Sequence, residues 1–166
     1  MFYRSLRREE LEELEPQFVR FLAAQGVPAE DWTKIKVADA PRAEQLVSQF
    51  SQMVFDDVLR RAEYLEQRSK QQLLAYRCGP EVLELRGLLV VGESPIDFRT
   101  ERSTPELLAD LQRSRARLKV LSAERRYRAG RNEEVYALLE ANARLATTAE
   151  LFDTLDALTG DTPVAT

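Results

Sequence analysis

The segment "LLAYRCGPEVLELRGLLVVG", Leu73–Gly92, decides the fold because it departs from the helical spacing of the residues around it. In "QLLAYRC" and "VLELRGLLVV" the apolar residues alternate with polar ones or run continuously, which is the pattern of a β-strand. Gly79 and Pro80 stand between the two runs, and this pair favours a turn. The segment therefore predicts an antiparallel β-hairpin.

Two further features bear on the extent of this sheet. In the second strand, apolar and polar residues alternate before Gly87, whereas all the residues after it are apolar. A glycine at such a change predicts a β-bulge. After the turn "GESP", the stretch "IDFRT" places Ile96 and Phe98 on one face and is a candidate third strand. Because an isolated hairpin is marginal in water, we expect this hairpin or three-stranded meander to pack on helices.

Helices are predicted on both sides of the hairpin from the positions of proline and glycine. Pro16 lies inside the first amphipathic run and should kink that helix or divide it. Proline also suits the first turn of a helix, so Pro28, Pro41 and Pro105 predict helix starts. With two more helical patterns after Gly130, the sequence predicts five or six helices.

The longest predicted helix is "PRAEQLVSQFSQMVFDDVLRRAEYLEQRS", residues 41–69. Its apolar side chains cover about half of the helical circumference, which indicates a central helix covered by several neighbours. We therefore predict an α+β fold, mostly helical, with the hairpin or meander packed on this long central helix. The expected organisation is one globular domain over residues 1–160, helical at 1–70, with a hairpin at 72–100, helical at 105–159, and a disordered tail at 161–166.

The composition predicts a cytoplasmic protein. No stretch approaches the roughly 20 apolar residues that a membrane span requires, and the N-terminus lacks a signal-peptide pattern. Cys78 is the single cysteine, so no intrachain disulfide can form, as is usual in a reducing compartment. We therefore expect a cytoplasmic location and no membrane partner.

Several chemistries lack the residues that they need. The sequence has no histidine, which removes the common zinc ligand sets and the catalytic Ser-His-Asp and Cys-His arrangements. It contains neither a GxxxxGK[ST] loop nor a GxGxxG loop, the two common phosphate-binding motifs. We therefore predict no catalytic, cofactor-binding or metal-binding residues, no cofactor, and a non-enzymatic role in preference to an enzymatic one.

One polar pair interrupts the apolar arc of the long helix. Asp57 and Arg61 lie one turn apart on that arc, and this spacing allows an ion pair along the helix. The pair is either a structural salt bridge at the edge of the core or a charged cluster that faces a cleft. The second alternative would suit a carboxylate-based enzyme, a hydrolase or transferase that uses both residues.

The N-terminal part of the chain resembles a known family. The stretches "SLRREELEELEPQFVRFLAAQG", "EDWTKIK" and "FSQMVFDDVLRRAEYLEQRS" are similar to the N-terminal pattern of a bacterial family of small proteins of unknown function. The similarity runs from the N-terminus through the hairpin, and its motifs are core and helix-cap patterns. The resemblance implies a bacterial, cytoplasmic origin and implies no activity.

The strongest charge feature is "RSRARLKVLSAERRYRAGR", residues 113–131, in which eight cations are opposed by one carboxylate, Glu124. We predict that most of this segment lies on a helix with two apolar stripes. One stripe contains Val120 and Tyr127, is flanked by arginines, and is expected to contact a second subunit or another protein. The candidate interaction surface consists of Arg113, Arg117, Val120, Tyr127, Arg128 and Arg131.

Three functions remain open for these residues. A non-enzymatic protein-interaction or structural module would bind itself or an acidic partner. A nucleic-acid-binding accessory protein would use the arginines of residues 113–131 on phosphates, although a net charge of −4 is unlike a dedicated nucleic-acid binder. The third function is the carboxylate-based enzyme. The polar loop "GESPIDFRTERST" is a second candidate region, and its acidic residues match no calcium-binding loop.

Overall fold

The computed structural model describes residues 3–159 of the chain. Within them it is an α+β protein with seven α-helices and one five-stranded antiparallel sheet, so the predicted class is confirmed and the predicted numbers of helices and strands were too low. By its internal contacts the chain divides into two compact units, one up to Arg60 and the other from Arg61 onward. The single domain over residues 1–160 stays a prediction, and the predicted tail at 161–166 lies outside the described residues.

The N-terminal helices pack around aromatic side chains. Pro16 lies in the first turn of its helix, where the N–H that it lacks would have no helical partner, and the chain is divided just before it, as predicted. The ring of Phe18 meets Trp32 edge-on with centroids 5.1 Å apart, and it lies 5.0 Å from the ring of Phe50. The helices are α1 (Arg8–Glu13), α2 (Glu15–Ala24), α3 (Ala29–Ala38) and α4 (Ala40–Arg61).

The predicted long helix ends earlier than expected. α4 stops at Arg61, and the residues that were expected to continue it form strand β1 (Tyr64–Arg68). This strand pairs with another strand on each side. The hydrogen bonds of these two ladders satisfy the backbone N–H and C=O groups that a helix would otherwise pair internally. Tertiary pairing therefore overrides the helix propensity of "YLEQR". The packing of the hairpin on the long helix stays a prediction.

Besides β1, the strands are β2 (Gln72–Cys78), β3 (Val82–Val91), β4 (Arg117–Arg126) and β5 (Arg144–Ala146). The sheet has the strand order β4-β3-β2-β1-β5, and every neighbouring pair is antiparallel. The predicted hairpin is confirmed. The predicted bulge at Gly87 is wrong, because Gly87 pairs with Leu74 on one side and Leu121 on the other in an uninterrupted register.

The candidate third strand at "IDFRT" is a loop. Ile96 and Phe98 are buried in the core of the second unit, as their shared spacing suggested, but neither belongs to a ladder. The N–H of Phe98 donates to the carbonyl of Lys70 in the β1–β2 turn at 3.1 Å. The alternation of apolar residues therefore indicates burial here, but it does not indicate a strand.

The arginine-rich segment is the main correction to the sequence prediction. The helix expected across residues 113–131 ends at Ser114, because Arg115 adopts a left-handed conformation with φ 51°. The following residues, Arg117–Arg126, form β4, which pairs with β3 along its whole length. Leu, Arg, Lys and Ala favour helices, but the free energy of this preference is small for each residue. It is outweighed by the stability that a continuous ladder and buried contacts provide.

The C-terminal part alternates helices and strands, so the all-helical prediction for residues 105–159 is wrong where β4 and β5 lie. α5 (Thr104–Ser114) and α7 (Glu150–Thr159) contribute side chains to the core on one face of the sheet, and α6 (Arg131–Glu140) follows β4. This core includes Leu73, Ala75, Leu88, Val90, Leu107, Leu111, Leu151, Phe152 and Leu155.

Candidate interaction surface at the edge of the sheet

Strand β4 lies at an edge of the sheet. It pairs with β3 on one side, and none of the described strands pairs with it on the other. Seven of its ten residues are exposed and the other three are partly buried. We call the unpaired side of Arg117–Arg126 the β4 edge.

The register shows which backbone groups point outward. In an antiparallel ladder alternate residues direct both N–H and C=O towards the neighbour, and the residues between them direct both away. The N–H of Tyr127 donates to the carbonyl of Glu81, one step beyond the pair Val82↔Arg126. Odd-numbered residues of β4 therefore bond to β3, and even-numbered ones face outward. The outward residues are Leu118, Val120, Ser122, Glu124 and Arg126.

The β3 ladders agree with this assignment. The N–H of Val90 donates to the carbonyl of Gln71, so even-numbered residues of β3 bond to β2 and odd-numbered ones bond to β4. Within residues 3–159, no hydrogen bond reaches the outward N–H and C=O groups of β4. A row of backbone donors and acceptors is thus open along the edge.

Of the five charged side chains of β4, all but Glu124 are cationic. Arg125 forms an ion pair with Glu134. For the other cations of this region, the described part of the chain supplies no carboxylate partner. These cations are Arg115, Arg117, Lys119, Arg126 and Arg128.

The structure distributes the predicted surface residues among different roles. Val120 is partly buried against the core below α5 and α7, whereas Arg117 lies on the opposite face of the sheet, because side chains alternate along a strand. Arg113 is the last charged residue of α5 and forms an ion pair with Asp110 at 2.5 Å. Arg128 is exposed, and its backbone N–H donates to Glu134 at 2.7 Å. The helical stripe that joined Val120 to Tyr127 does not exist.

Tyr127 and Arg131 hold the end of β4 to the hairpin. The Tyr127 hydroxyl donates to the carbonyl of Gly79 at 2.9 Å, and burial raises the pKa of this hydroxyl to about 12. Arg131 Nε also donates to the Gly79 carbonyl, at 3.2 Å, and its Nη2 donates to the carbonyls of Cys78, at 3.3 Å, and of Ala62. Both residues therefore have structural roles.

The second predicted cluster lies on α4. Asp57 is partly buried and forms an ion pair with Arg60, and Arg61 is exposed. The joint role of Asp57 and Arg61 in a polar cluster stays a prediction.

The one thiol of the chain is shielded. Cys78 is buried at the end of β2, and burial raises its pKa to about 11 although the charge of Arg131 opposes this shift. The thiol is therefore protonated at neutral pH, and a protonated thiol is a poor nucleophile.

In the described region no three potential metal ligands come together, and no helix there has the length and apolarity to cross a bilayer.

Sequence reasoning missed the β4 edge although one signal was present. In "RLKV", residues 117–120, cations alternate with apolar residues, which is the period of a strand. The next residues break this alternation, and the strand order that leaves β4 at the edge arises from contacts distant in sequence.

Comparisons with known proteins agree with the sequence resemblance. Neither the comparison with curated proteins nor that with solved structures gives a match. A family model described as a family of unknown function, DUF6495, matches residues 1–160, so the match extends beyond the hairpin to the C-terminal helices. The chain therefore belongs to the DUF6495 family.

Proposed function

We propose that this chain is a cytoplasmic bacterial protein-interaction module that binds an acidic, extended segment of a partner protein along the β4 edge. The observation that carries the proposal is the row of outward N–H and C=O groups on β4. An extended peptide can add to such an edge as a new strand, with backbone hydrogen bonds giving affinity and side chains giving specificity.

Charge favours an acidic segment. Arg117, Lys119 and Arg126 lie on the strand itself, and Arg115 and Arg128 lie just beyond its ends. Like charges on an edge strand prevent unspecific pairing, so they act against neutral or basic segments. A strand with carboxylates would place opposite charges across the new ladder, where each such pair adds modest stability.

The same charges disfavour a second copy of β4 as the occupant. In a two-fold antiparallel pair centred on Ser122, Lys119 would face Arg125 of the other copy on both sides of the axis. Like charges directly opposite each other destabilise a sheet. An acidic partner avoids this repulsion.

Binding of a labelled peptide of alternating valine and glutamate, as long as β4, tests the proposal. We expect saturable binding that weakens with added salt, because the charges at the edge are exposed. A peptide of alternating valine and lysine is the matched control and should not bind. Failure of the acidic peptide to bind at low salt would reject the proposal.

Two variants separate backbone pairing from charge. Ser122→Pro removes one outward N–H that has no partner in the described chain, and proline is tolerated at sheet edges when its position faces solvent. We expect a folded protein that has lost peptide binding. Lys119→Glu with Arg126→Glu should also abolish binding, whereas Arg8→Glu with Arg42→Glu, the same charge change on α1 and α4, should retain it.

A nucleic-acid ligand would give a different pattern. Phosphate contacts from arginine side chains do not need the backbone of β4, so Ser122→Pro would retain such binding. Retention of oligonucleotide binding by Ser122→Pro, together with no binding of the acidic peptide, would replace the proposal with the nucleic-acid alternative.

A further inference from the structure

The second unit also contains a charged cavity, and none of its lining residues belongs to the β4 edge. Arginines from three separate segments line one cavity of about 320 Å³. Arg68 ends β1, Arg99 and Arg102 belong to the loop before α5, and Arg144 begins β5. Four arginines from distant parts of the sequence thus line the same cavity, and arginine is the residue best suited to bind phosphate through several N–H donors.

Neighbouring carboxylates orient two of these arginines. Arg99 donates through Nε and Nη2 to the two oxygens of Asp97, at 2.9 and 2.7 Å. Arg102 donates through the same two nitrogens to Asp110, at 3.1 Å each. A guanidinium has five N–H donors, so each of these side chains keeps donors for a ligand after its carboxylate is satisfied.

The other two arginines lie beside Glu66 on the sheet. Arg68 is largely buried, with a side chain 17% exposed, and its Nη2 lies 3.6 Å from Glu66 Oε2. Arg144 is the cross-strand neighbour of Glu66 in the β1–β5 ladder, so the two side chains share a face of the sheet. Arg144 is exposed, and its side chain has no hydrogen-bond or ion-pair partner among residues 3–159. It is free to close onto a ligand.

The charges of the cavity wall set the ligand class. The wall contains four arginines and two carboxylates, Glu66 and Glu101, and carries a net charge of +2. Asp97 and Asp110, which pair with Arg99 and Arg102 from outside the wall, carry two negative charges that offset this net charge, so a diffuse anion would gain little. A compact dianion with three acceptor oxygens instead matches the N–H donors that the four guanidinium groups keep, because hydrogen bonds between charged groups are shorter and stronger than neutral ones.

We propose that this cavity binds the phosphate group of a phosphate monoester. The volume of about 320 Å³ leaves room beside the phosphate for part of the organic group. Three arginines are held in place before the ligand arrives, and this reduces the side-chain entropy that binding would cost.

Substitutions of two exposed residues of the wall should change the affinity for phosphoserine in opposite directions. Isothermal titration of the full chain with phosphoserine and with inorganic phosphate, at low ionic strength, measures the affinity for each probe. Arg144→Gln should weaken phosphoserine binding about tenfold, the loss expected for one charge-assisted hydrogen bond. Glu101→Gln removes an exposed carboxylate with no partner in the described chain and should tighten binding.

The controls identify the site and the source of the phosphate. Arg42→Gln removes an exposed arginine from α4 and should leave both affinities unchanged. Tighter binding of phosphoserine than of inorganic phosphate supports a monoester, whereas equal affinities would restrict the site to free phosphate and overturn the monoester proposal. Absence of binding by both probes, or equal affinity in the wild-type chain, Arg144→Gln and Glu101→Gln, would also overturn it. Ser122→Pro should bind phosphoserine normally, so this result is independent of the β4 edge.

Discussion

Leu74 and Gly87 lie directly opposite each other across β2 and β3, and the Leu74 side chain occupies the space that a larger residue at position 87 would need. A Cβ at residue 87 would lie 2.6 Å from Leu74 Cδ2 and 3.1 Å from the carbonyl oxygen of Leu73. Gly87→Ala should therefore lower the free energy of unfolding by about 1 kcal/mol, since overpacking exceeds the gain in chain stiffness. Urea denaturation measures the change.

A double-mutant cycle provides the control for this contact. Leu74→Ala alone should destabilise the protein by about 2–5 kcal/mol, because it leaves a cavity beside β3. In that background Gly87→Ala should be neutral or stabilising, since the added methyl group enters the vacated space. An equal cost of Gly87→Ala in both backgrounds would contradict the packing explanation.

Arg131 should be irreplaceable by lysine. Its guanidinium reaches the main-chain carbonyls of Gly79, Cys78 and Ala62, whereas a lysine ammonium cannot reproduce this planar set of donors. We expect Arg131→Lys to lower the free energy of unfolding by about 1–3 kcal/mol. Arg128→Lys, an exposed position three residues away, is the matched control and should have little effect in the same urea titration. Equal stability of the two variants would refute this role.

The Cys78 thiol should react slowly in the folded protein. It is buried, and its pKa is raised to about 11, so very little thiolate is present at neutral pH. Alkylation by iodoacetamide, followed by mass spectrometry, should be far slower in buffer than in concentrated urea. Equal rates in the two conditions would show that the thiol is exposed in solution.

The stability of the N-terminal helices should depend on pH in the acidic range because of Glu10. The Arg4 guanidinium contacts both carboxylate oxygens, at 2.8 and 2.9 Å, and the N–H of Arg7 donates at 2.7 Å, which together lower the pKa of Glu10 from 4.5 to about 2. Because the folded pKa is depressed, this stabilisation is complete above about pH 4.5 and is lost as the pH falls towards 2.

Thermal unfolding of Glu10→Gln over this range tests the pH dependence. The wild-type chain should be more stable than the variant at pH 6, and the difference should shrink as the pH falls from 4.5 towards 2. Glu13→Gln, an exposed position on the same helix, controls for the change in net charge. A difference in Tm that is independent of pH would rule out the ionised Glu10 carboxylate as its cause.

The hairpin was predictable because its signals are local. Alternating apolar residues and the Gly79-Pro80 turn predicted β2 and β3, and Pro16 predicted the division between α1 and α2. β4 was not predictable in this way, because Leu, Arg and Ala favour a helix and the residues that override this preference lie on β3, distant in sequence. The arginine-lined cavity was not predictable for the same reason, since tertiary contacts bring Arg68 and Arg144 of the sheet together with Arg102 of the loop before α5.

Amide hydrogen exchange along β4, resolved by NMR, tests the central claim that this segment is an edge strand with open backbone groups. In the free protein the amides of Lys119, Leu121, Ala123 and Arg125 should exchange slowly, because they bond to β3. The amides of Leu118, Val120, Ser122, Glu124 and Arg126 should exchange fast and become protected when the acidic peptide binds. Uniform protection of residues 117–126 in the free protein, as in a helix, would contradict the account.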